Sequence, residues 1–276
     1  MKRSVRSAAM VVFVTFSWAN FGWAGDKLVI GGTGWSIGIA KIMTDAFLER
    51  EAGVEIEILR SVGSGGGLKA LRAGEFQVSF SARPPSDEDK AAGLASVLWF
   101  RTPLILALST KVQGDLDLSD ADVKTVFAQE IKAWPDGTPA RPVIRSERET
   151  EVRVMIEHIP GIESIFNAAR TRRGVLIARN DQEAMNLAES VPGALVATTL
   201  VAIRSERRQL KPVAINGIVP SIETMNAGTY RMSIGIHAVI GPHSGEAARR
   251  FVGFLTSPEG ARRLAEYGAH SVAAAR

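Results

Sequence analysis

The chain has 276 residues, 46% of them hydrophobic and 22% charged, with a formal net charge of +4 and no cysteine. This is enough apolar content for one large or two modest cores. It excludes a disulfide framework, a cysteine-based metal site and a lipid-anchored cysteine.

The first residues have the three parts of a secretory signal: basic "MKRSVR", the apolar run "AAMVVFVTF", too short to span a bilayer, and the small-residue stretch Gly22–Trp23–Ala24. Cleavage is expected after Ala24, with the mature chain exported to the periplasm and not lipid-anchored. Losing residues 1–24 removes Lys2, Arg3 and Arg6 and no acid, which leaves a net charge of +1. A nucleic-acid partner then lacks its electrostatic footprint. No later stretch has the apolar length of a membrane span.

From Lys27 the pattern alternates short apolar runs with helical periodicity, which predicts an α/β fold. "KLVIGG" reads as a strand, and residues 36–51 as a helix with Ile39, Ile42, Met43, Ala46 and Phe47 on one stripe. "VEIEIL" alternates as a second strand. "SVGSGGGL" (61–68) reads as a glycine loop before a short helix carrying Leu68 and Leu71. "FQVSFSA" alternates again, and Ser86 with Asp89 has the spacing of a helix cap. "TPLILALS" is apolar enough for a central strand. "LDLSDADVKTVFAQEIKAWPDG" reads as a helix capped by Ser119 and Asp122 and ending in an aromatic turn around Trp134.

"RPVIRSE" and "TEVRVMIEHIPG" form a strand and a helix, the latter stopped by Pro160 and Gly161. "NDQEAMNLAES" and "GALVATTLVAI" give a further helix and strand. "YRMSIGIHAVIG" is a second long apolar strand, and the tail gives two helices, the second opened by Ser257 and Pro258. The two long apolar strands bracket the middle block. The expected architecture is therefore two lobes joined by two hinge crossings, 25–104 plus 232–276 forming lobe I and 105–231 lobe II, with a cleft between them.

Three turns lead from a strand into a helix through small or polar residues: "GGTGWSIG" (31–38), "SVGSGGGL" (61–68) and "RSERET" (145–150). Helix N-termini expose unpaired N–H groups and the positive dipole end, and glycine lets the backbone come close to a ligand. Each charge-assisted hydrogen bond contributes about 1.5–3 kcal/mol net, so several would reach the roughly 8 kcal/mol of a micromolar complex. A small oxyanion suits such donors.

The segment "GGTGWSIG…AFLEREAGVEIEILRSVGSGGGLKALRAGEFQVSFSARPPSDED" resembles the substrate-binding component of phosphate ABC transporters, as do "LSDADVKTVFAQEIKAWPDG", "VIRSE" and "FLTSPEGARRLAEYG". The likeness spans most of residues 26–268. It implies a two-lobed periplasmic binding protein of the type II-like fold, each lobe a mostly parallel sheet flanked by helices. It also implies phosphate or a similar oxyanion as ligand, a membrane ABC permease as partner, no cofactor, no metal and a monomer. By position it carries the ligand contacts onto Thr33, Gly34, Ser64, Gly65, Gly66, Ser81, Arg145 and Ser146. Thr150 stands in for a lost hydroxyl, and Arg83 is a further candidate as a guanidinium fork. Two departures stand out. Ala82 occupies the place of the family's proton-accepting aspartate, and "ERET" puts Glu147, Glu149 and Glu151 near the expected anion.

Other chemistries fit less well. Gly34–Trp35–Ser36–Ile37–Gly38 is a G-x-S-x-G, as in a secreted serine hydrolase, but it follows the first strand of the mature chain, so no earlier loop is available for an oxyanion hole. Ser36 is better read as a helix cap. Gly32, Gly34 and Gly38 with Glu57 only approximate a dinucleotide turn. His158, His237, His243 and His270 are scattered, without metal-ligand spacing. Trp35, Trp99 and Trp134 read as core or cleft-rim packing. A binding fold reused as a sensor or scaffold without transport is the remaining alternative.

Overall fold

The computed structural model describes residues 26–272; the expected signal segment lies outside the described residues. In chain order, Asp26–Gly32 (β1) passes through a 3-10 turn, Gly34–Ser36, into Ile37–Leu48 (α1). Val54–Ile58 (β2), Gly63–Arg72 (α2), Val78–Ser81 (β3), Asp87–Ala91 (α3) and Ala95–Ser109 (β4) follow. The middle block holds Asp117–Leu118 (β5), Asp120–Phe127 (α4), Arg141–Ile144 (β6), Thr150–His158 (α5), Ile162–Arg170 (α6), Leu176–Ile177 (β7) and Asp181–Ser190 (α7). It continues with Ala194–Thr199 (β8), Leu200–Ser205 (α8), Leu210–Pro212 (β9), Ala214–Ile215 (β10) and Ile222–Asn226 (α9). Ser233–Ile240 (β11), Glu246–Leu255 (α10), Pro258–Glu266 (α11) and His270–Ser271 (β12) close the chain.

One strand organises both lobes. Along β4, Ala95–Pro103 pairs antiparallel with β11, and Leu104–Leu108 pairs antiparallel with β8. The main path of the sheet is β2-β1-β3-β11-β4-β8-β6-β7, parallel within β2-β1-β3 and within β8-β6-β7, with β9 and β12 paired to β4 off that path. β4 runs outward and β11 returns, so these two strands join the halves, and the fold is the two-lobed α/β arrangement. Thr102, at the crossing, is fully buried; its Oγ1 donates to the Gly268 carbonyl at 2.8 Å and accepts from the Val201 N–H at 3.2 Å. Tyr230 Oη donates to the Leu104 carbonyl at 2.7 Å. The crossing is thus tied to both the C-terminal tail and α8.

The first lobe's core follows the apolar stripe of α1. Ile39, Met43, Ala46 and Phe47 are buried, and Phe47 meets Phe251 edge-on at 5.2 Å, which brings α10 onto the first lobe. Each such side chain contributes about 1.5–3 kcal/mol when buried. At the sheet edge, Val54, Ile56 and Ile58 are half-buried and alternate with exposed Glu55 and Glu57, charges that discourage edge-to-edge pairing. The caps at Ser86 and Ser119 are both reciprocal boxes with Asp89 and Asp122, and Ser257 caps α11 with Pro258 in its first turn.

Several elements differ from their sequence reading. The apolar run "GALVATTLVAI" is strand only to Thr199, whose Oγ1 accepts from the Ala202 N–H and starts α8. The helix after Ser119 ends at Phe127, where Gln129 takes a positive φ of 58°, well before Trp134. Ile162–Arg170 is an additional helix. The glycine stretch is itself helical from Gly63 onward, not a loop. Gly63 has φ +70°, which admits glycine at little cost, and a Cβ on Gly67 would stand 2.1 Å from Ser79 Oγ and 3.0 Å from Gly32 Cα. Close approach of α2 to β1 and β3 outweighs the poor helix propensity of glycine.

Gly67→Ala is therefore expected to destabilise the protein by about 1–3 kcal/mol through overpacking. Gly65→Ala, whose Cβ meets nothing within 4 Å, is expected to be neutral or to gain up to about 1 kcal/mol. Urea unfolding of the two variants checks this; equal midpoints would remove the packing explanation.

Candidate functional site

The three strand-to-helix turns open onto one cavity of about 300 Å³. Thr33 and Trp35 come from the turn after β1, Ser61, Val62, Gly63 and Ser64 from the start of α2, and Arg145, Glu149 and Thr150 from the turn between β6 and α5. Arg179, Asn180 and Asp181, at the start of α7, complete the lining. The start of α7 is a fourth turn of the same kind, and the sequence carried its signal: Asn180 before a helical run, with its side chain accepting from the Glu183 N–H at 2.9 Å. All four turns sit where parallel strands end, the usual place for a ligand in an open α/β sheet.

Of the expected contacts, Thr33, Ser64, Arg145 and Thr150 line this cavity. Ser64 Oγ accepts from the Ala82 N–H at 2.9 Å, and Thr150 Oγ1 accepts from Arg153 at 3.3 Å. The other expected contacts are not part of this lining. Gly65 and Gly66 belong to the first turns of α2 and lie outside the lining. Ser81 is buried and its Oγ donates to the Arg83 carbonyl at 2.6 Å. Arg83 is not part of this lining; it donates to the Pro84 carbonyl at 3.2 Å and lies 3.5 Å from Asp89. Ser146 is exposed and accepts from the Arg148 N–H. Gly34 is covered by α7: a Cβ there would lie 2.5 Å from Asp181 Oδ2 and 2.7 Å from Gln182 Oε1.

The electrostatics centre on Arg145. It is 6% exposed and has three carboxylates around it: Glu149 at 3.0 Å, Asp181 at 3.2 Å and Glu151 at 3.3 Å. Burial acts to lower its pKa, but Glu151, Asp181 and Glu149 raise it, so it stays charged. Glu151 is 1% exposed, and neither of its oxygens has a hydrogen-bond partner among the described residues; its contact with Arg145 is Coulombic and not directional. Burial pushes the Glu151 carboxyl up to about 8, with Arg145 pulling it down and Asp181 adding to the rise. Burial pushes Asp181 up to about 6, opposed by Arg145 and by the Gly34 N–H. One guanidinium faces three acids, so the group carries a net negative charge once all are ionised.

Ser36, the centre of the G-x-S-x-G, is 1% exposed and its Oγ donates to the Thr33 carbonyl at 2.8 Å. It makes no side-chain cap to α1, which corrects the capping expectation, and its hydroxyl proton is committed to the backbone. Glu57 of the approximate dinucleotide turn pairs with Lys27 on the surface at 2.9 Å. Among the described residues no group of histidines and acids has the arrangement of a metal site, and no helix is long and apolar enough to cross a membrane.

Two lobes share one through-strand, and helix starts from both face one polar cavity. The chain belongs to the PBP superfamily, whose domain pattern matches residues 20–259. Solved structures of similar fold include the substrate-binding protein assigned to a phosphate ABC transporter of Clostridium perfringens, with phosphate bound. It has a TM-score of 0.74 at 20% identity and covers 90% of this chain and 100% of that one. A high-affinity periplasmic phosphate-binding protein, PfluDING, with phosphate bound, has a TM-score of 0.68 at 14% identity, covering 90% and 91%. An ABC-type phosphate transport receptor from Vibrio cholerae has a TM-score of 0.58 at 14% identity, covering 89% and 99%. At these identities the likeness is one of fold. No curated protein sequence matches the chain.

Glu151 ionises in the unfolded chain near its ordinary 4.5 but in the folded protein only near 8. Its contribution to stability is therefore full below 4.5 and is lost as pH rises through 8. Glu151→Gln is expected to flatten this fall and to melt at least about 2 °C above the native protein at pH 8, with a smaller difference at pH 5. Melting curves across that range check it; a variant less stable at pH 8 than at pH 5 relative to native would refute the assignment.

Proposed function

We propose that this chain is an exported solute-binding protein that holds a small oxyanion, phosphate first among them, between its lobes and presents it to a membrane permease without chemical change. The observation that carries the reading is the convergence of hydroxyl and N–H donors from both lobes on one cavity: Thr33 and the first turn of α2 on one side, Arg145 and Thr150 on the other. The secretory pattern of residues 1–24, the PBP superfamily fold and the phosphate-binding proteins that share it support the same reading. The buried hydroxyl of Ser36 does not favour the hydrolase alternative.

In this reading 25–104 with 232–276 form lobe I and 105–231 form lobe II, moving about the β4 crossing near Thr102 and the return at Met232–Ser233. The anion docks on helix N-termini of one lobe, and closure adds contacts from the other that exist only in the shut form. The protein acts as a monomer in the periplasm and needs no cofactor.

Thermal-shift screening of residues 25–276 against phosphate, sulfate, molybdate, tungstate and small carboxylates is expected to single out an oxyanion. Calorimetry is then expected to show Ser64→Ala and Thr150→Ala each weakening it about tenfold, the equivalent of 1.4 kcal/mol. No stabilisation by any oxyanion at millimolar concentration would overturn the reading, as would affinities unchanged in both variants.

A further inference from the structure

The start of α7 reaches across the cleft and grips the first lobe at a single residue. Asp181 Oδ2 packs against Gly34, where a Cβ would stand 2.5 Å from it, while Asp181 Oδ1 lies 3.2 Å from the Arg145 guanidinium. The next side chain, Gln182, donates from Nε2 to the Gly34 carbonyl at 2.9 Å and is itself steadied by Glu206 at 3.4 Å. Gly34 opens the 3-10 turn that leads into α1, so its N–H is one of the free donors at that helix start. Asp181 is 7% exposed and lines the cavity.

A carboxylate and a small oxyanion ask for the same partners: a backbone N–H at a helix start and a guanidinium N–H. Asp181 lies beside one of each, packed against Gly34 and 3.2 Å from the Arg145 guanidinium. A ligand entering the cavity meets those donors already taken and a negative charge beside them. We propose that Asp181 is a built-in competitor for the oxyanion, an anion carried by the protein itself that the ligand must displace from Gly34 and Arg145. This rests on the oxyanion reading above and adds a sign to it: unlike Ser64 or Thr150, this lining residue opposes binding. The demand for glycine at position 34 has the same origin, because a Cβ would collide with the Asp181 side chain.

The charges around Asp181 set the pH dependence. Arg145 faces it from the end of β6, Glu149 and Glu151 from α5, and Arg179 and Glu183, paired at 3.3 Å, from its own element; Glu206 on α8 lies behind Gln182. Among these, Arg145 is the sole cation buried with Asp181, so protonating Asp181 removes one of the three carboxylates around Arg145 and the negative charge that a ligand would meet there. The test compares phosphate binding to residues 25–276 and to their Asp181→Asn variant by calorimetry from pH 5 to pH 8, the same-pH ratio cancelling the ligand's own titration. The expected result is that Asp181→Asn binds phosphate at least about fivefold more tightly at pH 8, with the advantage shrinking toward pH 5. Binding by the variant alone also supports the proposal. Weaker or unchanged binding in Asp181→Asn overturns it while leaving the oxyanion reading intact. No binding of phosphate, sulfate or molybdate by either protein overturns both. If Asp181→Asn fails to fold, Asp181→Ser makes the same comparison.

Discussion

A guanidinium taken out of water must be matched by charge and hydrogen bonds, and in this protein the matching of Arg145 decides the character of the whole cleft. Glu149 and Glu151 bring the start of α5 to it and Asp181 brings the start of α7, so one ion cluster positions the second lobe's half of the cavity. Asp181 then extends the cluster to Gly34 in the first lobe. The interaction that assembles the site is also the one that limits it. A cation offered to a ligand would need open donors, and this one is surrounded by three acids, of which burial makes Glu151 and Asp181 costly to ionise.

The scaffold supplies the convergence. β4 is long enough to serve both lobes, and its partner β11 returns beside it, so the strands on either side end facing a common opening. Glycine at 67 lets α2 lie close against β1 and β3, which puts Ser64 at the cavity wall, where the Ala82 N–H orients its hydroxyl. Ala82 contributes only backbone there. The acids at the cavity, Glu149 and Asp181 with Glu151 behind Arg145, come instead from the starts of α5 and α7, so negative charge lies on the other side of the cavity from the position where the resemblance implies it.

Much of the fold was legible because the relevant forces act locally. Alternation in "VEIEI", the stripe from Ile39 to Phe47 and the paired caps Ser86–Asp89 and Ser119–Asp122 each specify an element within a few residues. The misread elements are those where distant packing overrides local preference. Four glycines between 63 and 67 argue against helix, yet α2 begins there because only a bare backbone fits beneath Ser79 and Gly32. The run from Ala194 to Ile203 is apolar on both sides of Thr198–Thr199, so period alone did not mark the change at Thr199, where a hydroxyl cap turns strand into helix. Arg83 was legible as a charge near a strand end but not in its direction, which Asp89 determines.

By itself the sequence determined the α/β class, most of the longer strands and helices, and the polar turns that end strands and begin helices, since these rest on periodicity, capping and backbone freedom. It also named Thr33, Ser64, Arg145 and Thr150. Only the tertiary structure decided which turns meet, that α7 adds a fourth, and that Arg145 lies buried among Glu149, Glu151 and Asp181. Burial and the approach of Asp181, 36 residues on, to within 3.2 Å of Arg145 come only from the fold, where water is excluded and Coulomb interactions are strong. No pattern of neighbours along the chain encodes that distance.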